Sequence, residues 1–66
     1  MFVIAASNKI TKQIVYLMDF DLVYIFTEDD CNAYEFNTES DAFQVVSELK
    51  IRYPIYEFKV KQRLLY

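Results

Sequence analysis

One stretch of this 66-residue chain carries the full signature of an α-helix, and it lies between segments that read as strands. Thr38 fits an N-terminal cap, and Glu39 and Asp41 follow in the first turn, where the helix dipole favours acids. Apolar residues then recur at helical spacing, with one Phe at their flank: Ala42, Phe43, Val45, Val46, Leu49 and Tyr53. Pro54 disfavours helical backbone at the residue before it. The sequence therefore predicts a helix over residues 39–53.

Five other segments have the apolar and β-branched character of strands. The last, from residue 56, alternates most regularly, with rings and Val on one face and charges on the other: Tyr56, Phe58 and Val60 against Glu57, Lys59, Lys61 and Arg63. The others are residues 2–7, 12–18, 22–26 and, as an optional short strand, 33–36. We expect Asn8 to turn the chain between the first two, because Asn tolerates left-handed backbone.

These elements predict a single compact domain over residues 1–66, of the α+β class. The expected architecture is an antiparallel sheet of four to five strands with one helix packed on one face, in the order β-β-β-(β)-α-β. Such a short chain buries only ~60% of its unfolded surface, so its 6 Phe and 6 Tyr favour one dense aromatic core. We expect that core where helix and last strand meet, at Phe43, Val46, Leu49, Tyr56, Phe58 and Val60.

The second and third strands are apolar on both faces, although a single helix can cover only one face of a sheet. Strands with one solvated face normally alternate between apolar and polar residues. Two interpretations stay open. Residues 22–26 fold over as a lid or form a helical turn, or the uncovered face, including Val23 and Ile25, is an interface for a homodimer or for another protein.

Charge is segregated along the chain. Nine acids and no Lys or Arg lie between Asp19 and Glu48, whereas the whole chain has a net charge of −3. We predict an acidic surface that docks on a protein partner with a basic surface, formed by Asp19, Asp21, Glu28, Asp29, Asp30 and Glu35. In one form of this hypothesis the carboxylates mimic the phosphates of nucleic acid. The alternative is an ordinary solvated face.

The basic last strand raises the opposite possibility, a nucleic-acid-binding module. Single-stranded nucleic acid is bound by aromatic rings and cations on one surface. Here Phe58 and the lysines of the strand point to opposite faces. Core rings with solvated cations are the better interpretation, so nucleic acid is not expected as a partner. A simple homo-oligomeric accessory protein is a further alternative.

The composition excludes most catalytic and cofactor chemistry. The chain has no His, no Gly and one Cys, which rules out a His relay, a zinc box, a Gly-rich phosphate loop and an internal disulfide. Cys31 lies beside acids that should raise its pKa, which argues against a nucleophile. The acids lack calcium-loop spacing. We therefore expect no enzyme activity, no metal and no cofactor.

The compartment follows from two further features of the sequence. No apolar segment approaches the ~18 residues that a spanning helix requires, so no membrane association is expected. The lone Cys31 suits a reducing environment. We expect a complete cytoplasmic protein.

An Ala-x-x-Phe strand, here Ala33 and Phe36, leads through Asn-Thr into a helix with Ala42 near its start. This pattern, over residues 26–49, resembles one found in small phage and prophage proteins of unassigned function. The resemblance implies a compact α+β domain of a mobile element. Because such proteins often bind and inhibit a host factor, it also implies a modulator of a host protein in the host cytoplasm.

Overall fold

The helix and the strands lie in the order that the sequence predicts. The computed structural model describes residues 1–63. The strands are β1 (Phe2–Asn8), β2 (Ile14–Asp19), β3 (Ile25–Thr27) and β4 (Tyr56–Gln62), and the helix is α1 (Glu39–Arg52). A 3₁₀ turn over Asp30–Asn32 lies between β3 and α1. All neighbouring strands are antiparallel, in the spatial order β3-β2-β1-β4. The α+β class and the four-stranded sheet with one packed helix are confirmed.

The third strand is shorter than the prediction. Residues 22–24 lie outside the sheet, and β3 begins only at Ile25. Tyr24 turns toward α1 instead, and its hydroxyl donates a 2.7 Å hydrogen bond to the carboxylate of Glu48. The predicted strand over residues 22–26 is therefore wrong in its first half, because contacts with the helix replace a continued pairing with β2.

The optional strand over residues 33–36 is reduced to one bridge. Phe36 and Phe2 exchange both backbone hydrogen bonds, at 2.9 and 2.7 Å. The N–H of Tyr34 donates to the carbonyl of Leu17 at 2.8 Å. The segment therefore lies between the start of β1 and the end of β2 and closes that corner of the sheet.

The turn between β1 and β2 differs from the expected one. Asn8 is the last residue of β1, and its side-chain oxygen accepts the N–H groups of Ile10 and Thr11 at 2.9 and 3.0 Å. The left-handed residue is Lys12, with φ of 66°. The prediction of left-handed backbone at Asn8 is wrong, since this residue shapes the turn through its side chain.

The helix is predicted to within one residue. The hydroxyl of Thr38 accepts the N–H of Asp41 at 3.1 Å and caps the first turn. Tyr53 is the C-terminal cap, so α1 ends at Arg52 rather than at residue 53. Within residues 1–63, no helix has the length and apolar character that crossing a membrane requires.

The core lies between α1 and one face of the sheet. Its buried members come from β1, β2, α1, β4 and the segment before α1, and they are Ile4, Ala6, Leu17, Phe36, Ala42, Val46, Leu49 and Phe58. Phe58 is only 7% exposed, as predicted, and Tyr56 and Val60 pack partly buried against this cluster. Phe43 is 51% exposed, so its predicted place in the core is wrong. It follows Ala42 in sequence and therefore points about 100° around the helix from the buried side of α1.

Candidate protein-docking surface

The face of the sheet that turns away from α1, here called the outer face, has no helix over it in the part of the chain that the structure describes. Successive residues of a strand point to opposite faces of the sheet, so the residues that alternate with the core residues lie on the outer face. Ala5 lies in the middle and pairs with Tyr16 on β2 and with Lys59 on β4. The outer face therefore runs from an apolar side on β2 and β3 to a charged side on β4.

The residues of β1 at the centre of the outer face are covered by side chains of the neighbouring strands. Val3 and Ala5 are only 4% and 5% exposed, although α1 packs on the opposite face. Lys61 pairs with Val3, and Tyr16 and Lys59 flank Ala5. Long side chains can cover apolar surface with their stems while keeping their polar ends in water. The central strand is thus protected from solvent on both faces.

The exposed apolar surface lies farther out, along β2 and β3. Ile14, Met18 and Ile25 are 46%, 37% and 38% exposed. Tyr16 lies between Ile14 and Met18 in β2. Ile25 of β3 pairs with Asp19, and the register of the two strands shifts at Met18, between Leu17 and Asp19. We call Ile14, Tyr16, Met18 and Ile25 the apolar stripe.

Carboxylates lie at both ends of the apolar stripe. At one end, Glu28 accepts a 2.6 Å hydrogen bond from the amide of Gln13, the residue before Ile14. At the other end, Asp19 is the last residue of β2 and pairs with Ile25. Glu28 is three residues beyond Ile25, the partner of Asp19, so the two residues are separated by roughly 10 Å along the strand direction, at ~3.4 Å per residue.

The remaining predicted acids have local tasks. The side chain of Asp19 accepts the N–H groups of Phe20 and Asp21 at 2.8 and 3.2 Å, so it also shapes the bend after β2. Asp29 caps the 3₁₀ turn by accepting the N–H of Cys31 at 2.9 Å. Asp21 and Asp30 are exposed. Most of the acidic residues are thus brought to the loops that border β2 and β3.

Glu35 is the exception among these acids, because a base that directly follows β4 reaches it. The guanidinium of Arg63 lies 3.7 Å from the carboxylate of Glu35 and also donates to the backbone carbonyl of Asp30. The sequence analysis missed this role of Arg63. Alternation places Arg63 on the outer face, but no local signal names a partner 28 residues away.

Cys31 lies in the turn with Asp29 and Asp30 and is exposed. The charges of Asp29 and then of Asp30 raise the pKa of its thiol above the ordinary value, as the sequence predicts. The thiol and the two carboxylates lie within 4.8 Å of one another. Both oxygens of Asp29 accept hydrogen bonds from the turn itself, from Cys31 and from Asn32. Asp29 therefore has a structural role in this turn.

Val23, the other apolar residue predicted for binding, lies apart from the apolar stripe. It lines a cleft of about 390 Å³ between residues 20–24 and the second half of α1. In this cleft the hydrogen bond to Glu48 raises the pKa of Tyr24, and desolvation adds to the effect. The guanidinium of Arg52 lies 5.5 Å from the centre of the Tyr24 ring. These contacts tie the loop to the helix.

Comparison with known proteins gives no match. No protein-family profile, no curated protein and no solved structure matches this chain. The surface itself is therefore the starting point for function.

Proposed function

We propose that this protein is a small non-enzymatic binding module that docks on another protein through the apolar stripe and the acids at its ends. The observation that carries the proposal is the arrangement along β2, where exposed Ile14 and Met18 lie between the carboxylates of Glu28 and Asp19. Protein interfaces commonly combine an apolar centre with a polar rim. The stripe supplies the centre and the carboxylates supply the rim.

The partner that fits this surface has a complementary pattern of charge. It presents apolar side chains between two basic groups, spaced to meet Glu28 and Asp19. Asp29 and Asp30 extend the negative charge beyond Glu28. Such complementarity accelerates encounter and selects the orientation of docking, whereas the apolar contacts supply most of the affinity.

The resemblance of residues 26–49 to phage and prophage proteins supports a more specific form of this proposal. In that form the module is phage-encoded and modulates or inhibits a host protein in the host cytoplasm. The acidic loops would then compete with another ligand for the basic surface of the host protein, including nucleic acid where that surface binds it.

The test begins with the tagged protein as bait in a bacterial lysate, followed by affinity measurements on the captured partner. Met18→Lys and Ile25→Lys should each weaken binding about tenfold or more, since each places a charge in the apolar centre. Combined Glu28→Lys, Asp29→Lys and Asp30→Lys should slow association and flatten its salt dependence. Ile51→Lys is the matched control, because Ile51 is an exposed apolar residue of α1 on the other side of the sheet.

Binding that tolerates both stripe substitutions as well as it tolerates Ile51→Lys would overturn the proposal. A partner that loses affinity only with the triple substitution would restrict the binding site to the acidic loops. The variants should keep the helical circular dichroism of the wild type, because the substituted side chains are exposed and the cap lost with Asp29 belongs to the 3₁₀ turn rather than to α1.

A second candidate function, nucleic-acid binding, has one observation in its favour. Tyr16 shares the outer face with Lys59 and Lys61, whereas the rings considered in the sequence, such as Phe58, face the core. A single ring is a small stacking platform, and the acids at the ends of the stripe repel phosphates. Titration with a short fluorescent oligothymidine discriminates the two functions, since binding that is lost in Tyr16→Ala and Lys59→Glu would favour this candidate.

A further inference from the structure

The free edge of β4 is the strongest unassigned feature of the molecule. β4 has seven residues and forms one edge of the sheet, with β1 as its neighbour in the described chain. We propose that β4 pairs antiparallel with β4 of a second copy of this chain, about a two-fold axis at Phe58. The two sheets then form one continuous sheet. This inference is independent of the proposed partner, which uses the outer face near β2 and β3.

The backbone of β4 is oriented for this pairing. The N–H of Arg63 donates to Met1 and the N–H of Lys9 donates to Ile55, and both bonds follow the register of β1 with β4. Hydrogen-bonded positions alternate along an antiparallel strand. The backbone groups of Phe58 and Val60 therefore point away from β1, toward the open edge. A second β4 would meet them with the same set of groups.

Charge selects one register among those that the backbone permits. With the axis at Phe58, Glu57 of each copy lies opposite Lys59 of the other, in the closely spaced kind of pair. With the axis at Lys59, two lysines face each other at the centre. With the axis at Val60, Lys59 faces Lys61 twice. Only the first register places every Glu57 and Lys59 against an opposite charge.

The helix-facing side of the same register is apolar. Phe58 of one copy meets Phe58 of the other, and Tyr56 lies opposite Val60. Phe43 extends this surface, because it lies two helical turns before Lys50, and Lys50 lines a cleft with Tyr56 and Phe58 at this edge. The exposure of Phe43, which is unexpected for an isolated domain, is explained by its position above the new strand pair.

The opposite edge of the sheet lacks these features. β3 has three residues and runs into the acidic residues 28–30, so two copies paired there would repel each other. Lysines on an edge strand normally discourage open-ended pairing. On β4, one register pairs Lys59 with an opposite charge, which favours a closed two-fold dimer over further growth.

Sedimentation of the full chain over a range of micromolar concentrations tests the proposal. The wild type should form a dimer. Glu57→Lys and Lys59→Glu should each weaken it about tenfold or more, because each places like charges in contact twice. The double variant Glu57→Lys/Lys59→Glu should restore the wild-type dissociation constant within about threefold, since it exchanges the charges within each pair. All these side chains are exposed, so the fold should be preserved.

Two substitutions on α1 give a matched comparison. Phe43→Ala should weaken the dimer, whereas Ile51→Ala should not, because the exposed Ile51 lies outside the flank shared by Phe43 and Lys50. A wild type that stays monomeric at high micromolar concentration would overturn the proposal. So would a dimer that tolerates both single charge reversals, or one in which the double variant is no tighter than the single variants.

Discussion

The one residue with positive φ among residues 1–63 is Lys12, in a chain that has no Gly at all. A side chain with a Cβ is strained in left-handed backbone. The turn keeps this geometry because Asn8 accepts two N–H groups of the turn and its carbonyl accepts the N–H of Lys12 at 2.8 Å. The hairpin of β1 and β2 thus holds a local strain that one substitution can relieve.

Lys12→Gly should raise the free energy of unfolding by about 0.5–1 kcal/mol, because Gly adopts this conformation without steric strain. Urea denaturation followed by circular dichroism gives the measurement. Lys9→Gly is the matched control, since Lys9 is an exposed lysine of the same turn with ordinary φ. That control should be neutral or destabilising, and an equal gain in both variants would contradict the explanation.

At this scale the sequence predicts what depends on adjacent residues. The raised pKa of the Cys31 thiol follows from the charges of Asp29 and Asp30 just before it, and the cap at Thr38 follows from its place before the helix. The ion pair of Arg63 with Glu35 could not be predicted, because it requires the strand order. Nor could the burial of Ala5 on the outer face, since that depends on side chains from two other strands.

Among the elements, α1 and β3 show how far a local pattern can be trusted. The bounds of α1 follow from Thr38 and Pro54, which act on their immediate neighbours. The bounds of β3 depend on the distant contact between Tyr24 and Glu48. An apolar run such as residues 22–26 looks the same whether it extends a sheet or crosses to a helix. These contacts hold residues 22–24 against α1, so the segment does not form the lid over the uncovered face that the sequence left open.

A comparison of Phe58 in β4 with Phe43 in α1 tests which residues of these two elements form the core. Phe58→Ala should lower the free energy of unfolding by about 3–5 kcal/mol, because it empties a site at the centre of the core. Phe43→Ala should lower it by less than about 1 kcal/mol, since Phe43 is mostly exposed. Thermal melts at low protein concentration, where any dimer is dissociated, measure both. Similar losses in the two variants would contradict the assignment of the core.

Across the whole molecule, folding rearranges the segregated charge only slightly. Nine acids lie between Asp19 and Glu48, and within residues 1–63 just one of them, Glu35, forms an ion pair. The others are largely solvated in the loops and along α1. Like charges at this density repel one another and destabilise the compact state.

Salt should therefore stabilise this protein. Raising the NaCl concentration from a few millimolar toward physiological strength should increase the melting temperature, since screening weakens repulsion between exposed acids. The combined Glu28→Lys, Asp29→Lys and Asp30→Lys variant should gain less from the same salt, because it has less repulsion to screen. A melting temperature that falls with salt, or an equal gain in both proteins, would contradict this account.

The candidate surface was only partly predictable at this scale. The acids and the apolar residues of β2 are evident in the sequence, which also predicts binding at Ile25. Their arrangement as one stripe with carboxylates at both ends needs the pairing of β2 with β3 and the contact of Gln13 with Glu28. The free edge of β4 also follows only from the strand order.

The central position of β1 has a consequence for synthesis on the ribosome. β1 is made first and can pair early with β2, but its other neighbour, β4, is the last strand in chain order. About 50 residues separate β1 from β4, so at translation rates of ~5–20 residues per second β4 is synthesised roughly 3–10 s after β1. During this interval the nascent chain exposes an apolar, unpaired strand, the kind of segment that chaperones bind and that aggregates. The speed at which the second half of the message is translated therefore sets how long each new molecule stays vulnerable.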